Sequence, residues 1–174
     1  MKREQKTLEL IKEYKLTGII VEVGVLRGLF SNWLLKANPD SLILIDCWLS
    51  LPVDEFPDYV DYNQEKWDEI MNKVKAKFSK NKNVSVIRSK SIDAVKQFKD
   101  NSLDLVYLDG NHTYEFVKQD LIEWYKKVKV GGILAGHDYP LESVKRAVDE
   151  FVVGKKLLTT TDEKSTASYY IQKV

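Results

Sequence analysis

The sequence predicts an α/β domain: a doubly wound, mostly parallel sheet with helices on both faces, ending in an antiparallel hairpin. Three observations predict it. Short β-branched runs recur at residues 18–23, 42–45, 84–87, 103–108 and 130–135, each apolar enough to be buried on both faces, as parallel strands are. Between these runs, apolar residues recur at three- and four-residue steps, the period of a helix that lays one stripe on a sheet. After residue 151 the pattern changes: two strand-like runs, 155–160 and 166–172, are joined by the polar turn 161–165, with no room for a helix between them.

The elements follow in order. Strand 18–23 leads into a helix marked by Phe30, Trp33 and Leu34. Strand 42–45 is followed by a helix carrying Trp67, Ile70, Met71, Val74 and Phe78. Ile92, Val95 and Phe98 mark the helix after strand 84–87, and Val117, Leu121, Trp124, Tyr125 and Val128 mark the one after strand 103–108. Val144, Ala147, Val148 and Phe151 mark the last. Strand alternating with helix gives right-handed crossovers and a sheet covered on both sides. Residues 51–63, with prolines and aromatics, form the one long irregular segment. It reads either as a lid or binding loop, or as a connector whose aromatics cap the core.

At 174 residues, 44% hydrophobic and 30% charged, the chain fits one domain over residues 1–174 that buries a core without staples. Lys and Arg number 27 against 26 Asp and Glu, a net charge of +1, which excludes bulk attraction to nucleic acid or an anionic membrane. Lys73, Lys75, Lys77, Lys80 and Lys82 read as a solvated helix face. The single Cys47 excludes a disulfide framework and a cysteine-rich zinc site. No apolar run approaches the ~20 residues that span a bilayer, and the charged N-terminal stretch lacks the apolar centre of a secretion signal. A cytoplasmic location is the expectation; a homo-oligomer is compatible with the sequence.

In open α/β sheets, ligands bind beyond the carboxyl ends of the strands. The first strand ends there in Glu22-Val23-Gly24-Val25-Leu26-Arg27-Gly28. Leu26 stands where a dinucleotide fingerprint has its middle glycine, so one acid and two glycines suit a ligand with an ammonium group and no phosphate. The alternative is a tight turn that binds nothing. Asp46 ends the second strand, where an acid can accept hydrogen bonds from both ribose hydroxyls, or can merely cap a helix. Cys47 and Trp48 can pack on an adenine face, and Trp48 fits the core equally. Ser91 can hold the adenine edge or cap the helix beginning at Ile92.

The sharpest features are two Asp–His pairs. Asp109 and His112 follow the fourth strand, and His137 and Asp138 follow the fifth; these are the chain's only two histidines. Adjacent strands lie ~4.8 Å apart, and carboxylates so close repel unless a cation or proton intervenes. Carboxylate oxygens suit a hard divalent ion, and a nearby histidine can act as a general base near neutral pH. The alternative is that Asp109 caps the next helix near Thr113 while each histidine satisfies a backbone carbonyl.

From the Glu22–Gly28 loop through Asp46, the LDGNHTY segment at 108–114 and the GGILAGHDY segment at 131–139, to the terminal hairpin, the chain resembles the class I S-adenosylmethionine-dependent methyltransferases. It looks most like the branch of bacterial sugar O-methyltransferases such as macrocin O-methyltransferase, with catechol O-methyltransferase as a more distant relative. The resemblance implies a Rossmann-like methyltransferase fold, with a seven-stranded sheet and one reversed edge strand. It implies methyl transfer from S-adenosylmethionine to a hydroxyl of a small molecule or sugar, assisted by Mg2+ or another divalent cation. Glu22 and Gly24 then receive the methionine part, Asp46 the ribose and Ser91 the adenine side, with Gly28, Cys47 and Asp109 completing the cofactor contacts. Asp109 and Asp138 match metal-binding aspartates, and His137 stands where metal-dependent relatives often carry another carboxylate. Asp109, His112 or His137 takes the acceptor's proton, with His112 favoured because its loop is free to face substrate. Two other classes compete. A nicotinamide-dependent oxidoreductase is opposed by Leu26 and the hairpin, and a non-catalytic cofactor-binding or assembly module by the two Asp–His pairs.

Overall fold

Every β-branched run becomes a strand of one sheet. The computed structural model describes residues 2–52, 62–160 and 167–174. Its strands are β1 (Ile19–Val23), β2 (Ser41–Asp46), β3 (Val84–Arg88), β4 (Leu103–Leu108), β5 (Val128–Gly136), β6 (Leu157–Thr159) and β7 (Tyr169–Gln172). They lie in the order β3-β2-β1-β4-β5-β7-β6. The first five are parallel, and β7 runs antiparallel to both β5 and β6. The reversed strand is therefore internal, which corrects the expected reversed edge. The reason is hydrophobic: Tyr169, Tyr170 and Ile171 are buried, whereas Leu157, Leu158 and Thr159 are partly or fully exposed, so the more apolar half of the hairpin takes the inner position. Most of the expected loop over residues 51–63, and the whole of the expected turn over 161–165, lie outside the described residues.

The helices are α1 (Arg3–Tyr14), α2 (Ser31–Lys36), α3 (Gln64–Phe78), α4 (Ser91–Ala94), α5 (Tyr114–Lys127) and α6 (Glu142–Phe151), with a 3-10 turn at Val95–Gln97. They form two layers. Leu10 of α1, Leu34 of α2 and Trp67 and Val74 of α3 pack with Ile20, Leu42 and Leu44 on one face. Val117, Leu121 and Trp124 of α5 pack with Val144 and Val148 of α6 against Val21, Val106 and Leu134 on the other. Alternate residues of β1 thus face opposite layers, which turns Glu22 toward α2. Val128, counted in the helical stripe by period, instead begins β5. The ladder with β4 shifts register between Leu103 and Leu105, where the strand can extend past the run seen in sequence.

The lysine group of α3 is partly engaged within the fold. Lys73 pairs with Glu69, and Lys77 Nζ donates to the Gly28 carbonyl at 2.5 Å. Among the described residues no helix is long and apolar enough to cross a membrane.

Candidate active site

The strand order reverses between β1 and β4, and a crevice opens where the loops after these strands part to opposite faces. A cavity of about 300 Å³ occupies it. The structure brings Glu22, Gly24, Asp46, Cys47, Ser91, Asp109, His112 and Asp138 to its wall. Gly28, Trp48 and His137 are not on that wall. A Cβ on Gly28 would meet the Phe78 ring at 3.0 Å, so this glycine serves packing against α3. Trp48 is fully buried and donates its indole N–H to the Leu26 carbonyl at 3.0 Å, so it belongs to the core rather than to an adenine face.

The loop after β1 is shaped by its neighbours. Gly24 has φ of 88°, and a Cβ there would lie 1.9 Å from the Asp109 carbonyl oxygen. The close approach expected of a ligand is therefore made first by the backbone after β4. Glu22 is buried and accepts a hydrogen bond from Ser31 Oγ at 2.5 Å. Burial raises its carboxyl from the ordinary 4.5 to about 8, with the charges of Asp109 and Asp46 adding to the shift against the opposing pull of Ser31 and Arg3.

A pH dependence follows. Between 4.5 and about 8 the unfolded chain has released the Glu22 proton while the fold retains it. The unfolded state then binds fewer protons, so stability falls as pH rises through that window, by at most about 1.4 kcal/mol per pH unit from this group. Chemical denaturation of the ligand-free protein from pH 5 to 8.5 is expected to trace the decline. Glu22→Gln should flatten it; an unchanged slope in that variant overturns the assignment.

Asp46 is held by backbone. Leu26 N–H donates to Oδ2 at 2.8 Å and Trp48 N–H to Oδ1 at 3.0 Å, which leaves each oxygen further lone pairs for a ligand. Desolvation nevertheless raises its pKa, and burial pushes the Cys47 thiol up as well. Ser91 is not the side-chain cap of α4, whose capping position is Lys90. Its hydroxyl instead joins a network, donating to Asp120 Oδ1 at 2.6 Å and accepting from Trp124 Nε1 at 2.7 Å.

The two Asp–His pairs merge into one cluster. His137 Nδ1 lies 3.0 Å from Asp138 Oδ2 and 3.7 Å from Asp109 Oδ1. His112 Nε2 lies 3.1 Å from the same Asp138 oxygen and 3.9 Å from the same Asp109 oxygen. Asp138 sits in the left-handed region, φ 55°, a conformation that the packing around it must hold. Hydrogen bonding to Asp109 and Asp138 carries His112 up to about 10, and both histidines hold Asp138 well below the usual carboxylate range. The His112 loop is not free. Ser143 Oγ donates to the His112 carbonyl at 2.6 Å, and Asn111 Oδ1 accepts from Thr113 N–H at 2.8 Å. This corrects the reason for favouring His112 as the base.

The residues fit a divalent cation. One donor atom each from Asp109, His137 and Asp138 lie within 4.8 Å of one another. One nitrogen with two oxygens suits borderline ions better than a set of oxygens alone. Sequence reading missed Arg3, whose Nη1 donates to Asp109 Oδ2 at 3.0 Å while its guanidinium lies over the Phe30 ring, 4.7 Å from the centroid. Arg3 therefore takes the oxygen turned away from the imidazoles and orients the other toward them. A signal existed: Arg3 stands four residues before Thr7 and seven before Leu10, on the buried stripe of α1. Asp120 was missed too, although it falls within the apolar stripe of Val117, Leu121 and Trp124.

A sheet in this order, with a crevice of acids and no phosphate loop at its switch point, places the protein in the class I S-adenosylmethionine-dependent methyltransferase fold. The model of a family described as a methyltransferase domain matches residues 21–139, well over half of the chain, and the chain belongs to that family. Among solved structures it is similar to the O-methyltransferase NovP, at 20% identity and a TM-score of 0.70, over 98% of this chain and 78% of that one. It is similar to an O-methyltransferase from Bacillus cereus solved with S-adenosylhomocysteine (SAH), at 12% identity and a TM-score of 0.69, over 98% and 80% of the two chains. An rRNA methylase from Streptococcus thermophilus is also similar, at 14% identity and a TM-score of 0.67, over 100% and 98%. Such identities establish the shared fold. No curated protein sequence matches the chain.

Proposed function

We propose that this protein transfers the methyl group of S-adenosylmethionine to a hydroxyl of a small molecule or sugar, with a divalent cation at the acceptor. One observation carries the reading: Asp109, His112 and Asp138, three of the four members of the Asp–His cluster, line the same cavity as Glu22, Gly24 and Asp46, with His137 behind them against Asp138. The O-methyltransferases among the similar structures support it. When bound, S-adenosylmethionine supplies a methyl on a positively charged sulfur, and the cation supplies a Lewis acid that lowers a hydroxyl's pKa.

The chain's own residues do the rest. Glu22 and the backbone around Gly24 receive the amino-acid end, Asp46 accepts from the ribose hydroxyls, and Cys47 and the Ser91 segment flank the base. Asp109, His137 and Asp138 would hold the cation. The acceptor's proton passes to whichever of Asp109, His112 and His137 the cation leaves unligated. Walls that set an acceptor oxygen in line with the methyl would lower the barrier by orientation, worth roughly 7–11 kcal/mol in well-oriented model reactions.

The test mixes purified protein, labelled S-adenosylmethionine and a panel of sugars and catechols, with Mg2+, with Mn2+ and with chelator. Label on an acceptor oxygen, lost with chelator, is the expected result. Label confined to nitrogen acceptors would overturn the O-methyl reading. Absence of SAH binding by calorimetry would overturn the cofactor itself.

A further inference from the structure

Two buried hydroxyls beside the start of α1 take part in no step above. Thr7 and Tyr170 are each 1% exposed, and their oxygens lie 2.9 Å apart. Thr7 Oγ1 donates to the Arg3 carbonyl at 2.8 Å, one turn back along its own helix. With that proton spent, the hydrogen between the two hydroxyls is the tyrosine's. The Tyr170 hydroxyl can donate to Thr7 Oγ1 or to the same Arg3 carbonyl, 3.3 Å away. Arg3 is the first residue of α1, and Lys2 before it places no side chain on the free N–H groups of that turn. A first turn without a cap opens readily. Here the hold comes from the sheet instead. Tyr107, Ala135 and Tyr170 stand in one row across β4, β5 and β7, in the layer that α1 covers with Leu10 and Ile11. The inner position of β7 thus brings Tyr170 within reach of the Arg3 backbone. From that backbone the side chain runs on to Asp109, Nη1 donating to Oδ2 at 3.0 Å.

We infer that Tyr170 is a positioning residue for the candidate site. Its hydroxyl, with that of Thr7, pins the first turn of α1 so that Arg3 keeps Asp109 Oδ2 and leaves Oδ1 to the cation. The inference rests on the cation reading and goes beyond it, since neither hydroxyl reaches the cavity wall. Groups that orient a ligating side chain are typically worth 10–100-fold in metal affinity. Tyr170 acts one step further out, so its share is smaller.

Mn2+ titration by calorimetry tests this. Tyr170→Phe keeps the ring and removes the hydroxyl. It should weaken Mn2+ binding by about 3–10-fold, part of the worth of an orienting group. Its Tm should fall by only about 2–4 °C, the loss of one ordinary hydrogen bond in a chain of this size. Thr7→Val should reproduce the weaker binding, and Thr7→Ser, which keeps the hydroxyl, should not. With Arg3→Gln already made, Tyr170→Phe should leave Mn2+ affinity unmoved, because the link it acts through is gone. A merely structural hydroxyl would change Mn2+ affinity by the same factor in both backgrounds or in neither, and either result overturns the inference. Tighter Mn2+ binding in Tyr170→Phe overturns it too, because Arg3 would then only compete with the ion for Asp109. If the hydroxyl variants do not fold, the wild type decides. Coupling is reciprocal, so Mn2+ should slow amide hydrogen exchange at Lys6 and Thr7; unmoved exchange there overturns the inference. Absence of Mn2+ binding by the wild type overturns the cation reading and this inference with it.

Discussion

Asp109→Asn is expected to lower methyl transfer by about 100–10,000-fold, the usual worth of a positioned base, while the fold survives. This carboxylate is where the cluster meets. Oδ2 accepts from Arg3 at 3.0 Å, and Oδ1 lies 3.7 Å from His137 Nδ1 and 3.9 Å from His112 Nε2. Asparagine keeps the volume and one acceptor, so Arg3 retains a partner and the cost to stability should be on the order of 1 kcal/mol. What disappears is the negative charge that a cation or a transferred proton needs. Initial rates with saturating acceptor, set beside SAH affinity by calorimetry, separate the two. The proposal predicts lost turnover with cofactor affinity kept within about tenfold, and weakened Mn2+ binding. Full activity in this variant would remove both the base and the cation from the reading.

How much of this was legible from residues alone depends on how local each cause is. The strands were visible because burial on both faces demands unbroken β-branched runs, and the helices because one-sided burial imposes a 3.6-residue period. The order of the hairpin strands was less visible, since it turns on which half packs better beside β5, a comparison between distant residues. The acids at the strand tips were legible because topology alone carries the ends of neighbouring parallel strands to one rim. Arg3 was not: its partner Asp109 lies far along the chain, and only the packing of α1 over Phe30 brings them together. His112 was found as a residue, but the hold on its loop was not: Ser143 reaches the His112 carbonyl from α6, a contact between segments that spacing does not announce. Ser91 shows the same limit, because the direction of its proton is fixed by Trp124 on another helix.

The second large effect is expected where no side chain exists. Gly24→Ala places a methyl 1.9 Å from the Asp109 carbonyl oxygen, 2.2 Å from its carbon and 2.6 Å from the Gly110 nitrogen, at a φ of 88°. These are backbone atoms, so no rotamer can relieve the collision. The tips of β1 and β4 must part, although Asp109 N–H is bonded to the Val23 carbonyl at 2.7 Å and Gly24 N–H to Ile45 at 2.9 Å. Strain and overpacking together should cost about 2–5 kcal/mol, a fall in Tm on the order of 10 °C for a chain of this size. Parting the tips also carries Asp109 away from Glu22 and Arg3, so SAH affinity should drop by more than about 100-fold, several kcal/mol of lost contact. Gly154→Ala is the matched control. It has a comparable φ of 78° but nothing within 4 Å of the added carbon, so it should cost only the conformational strain of about 1–2 kcal/mol and leave SAH binding intact. If the two variants lose equal stability and equal affinity, the collision at Asp109 contributes nothing, and the glycine after β1 is there for its turn alone.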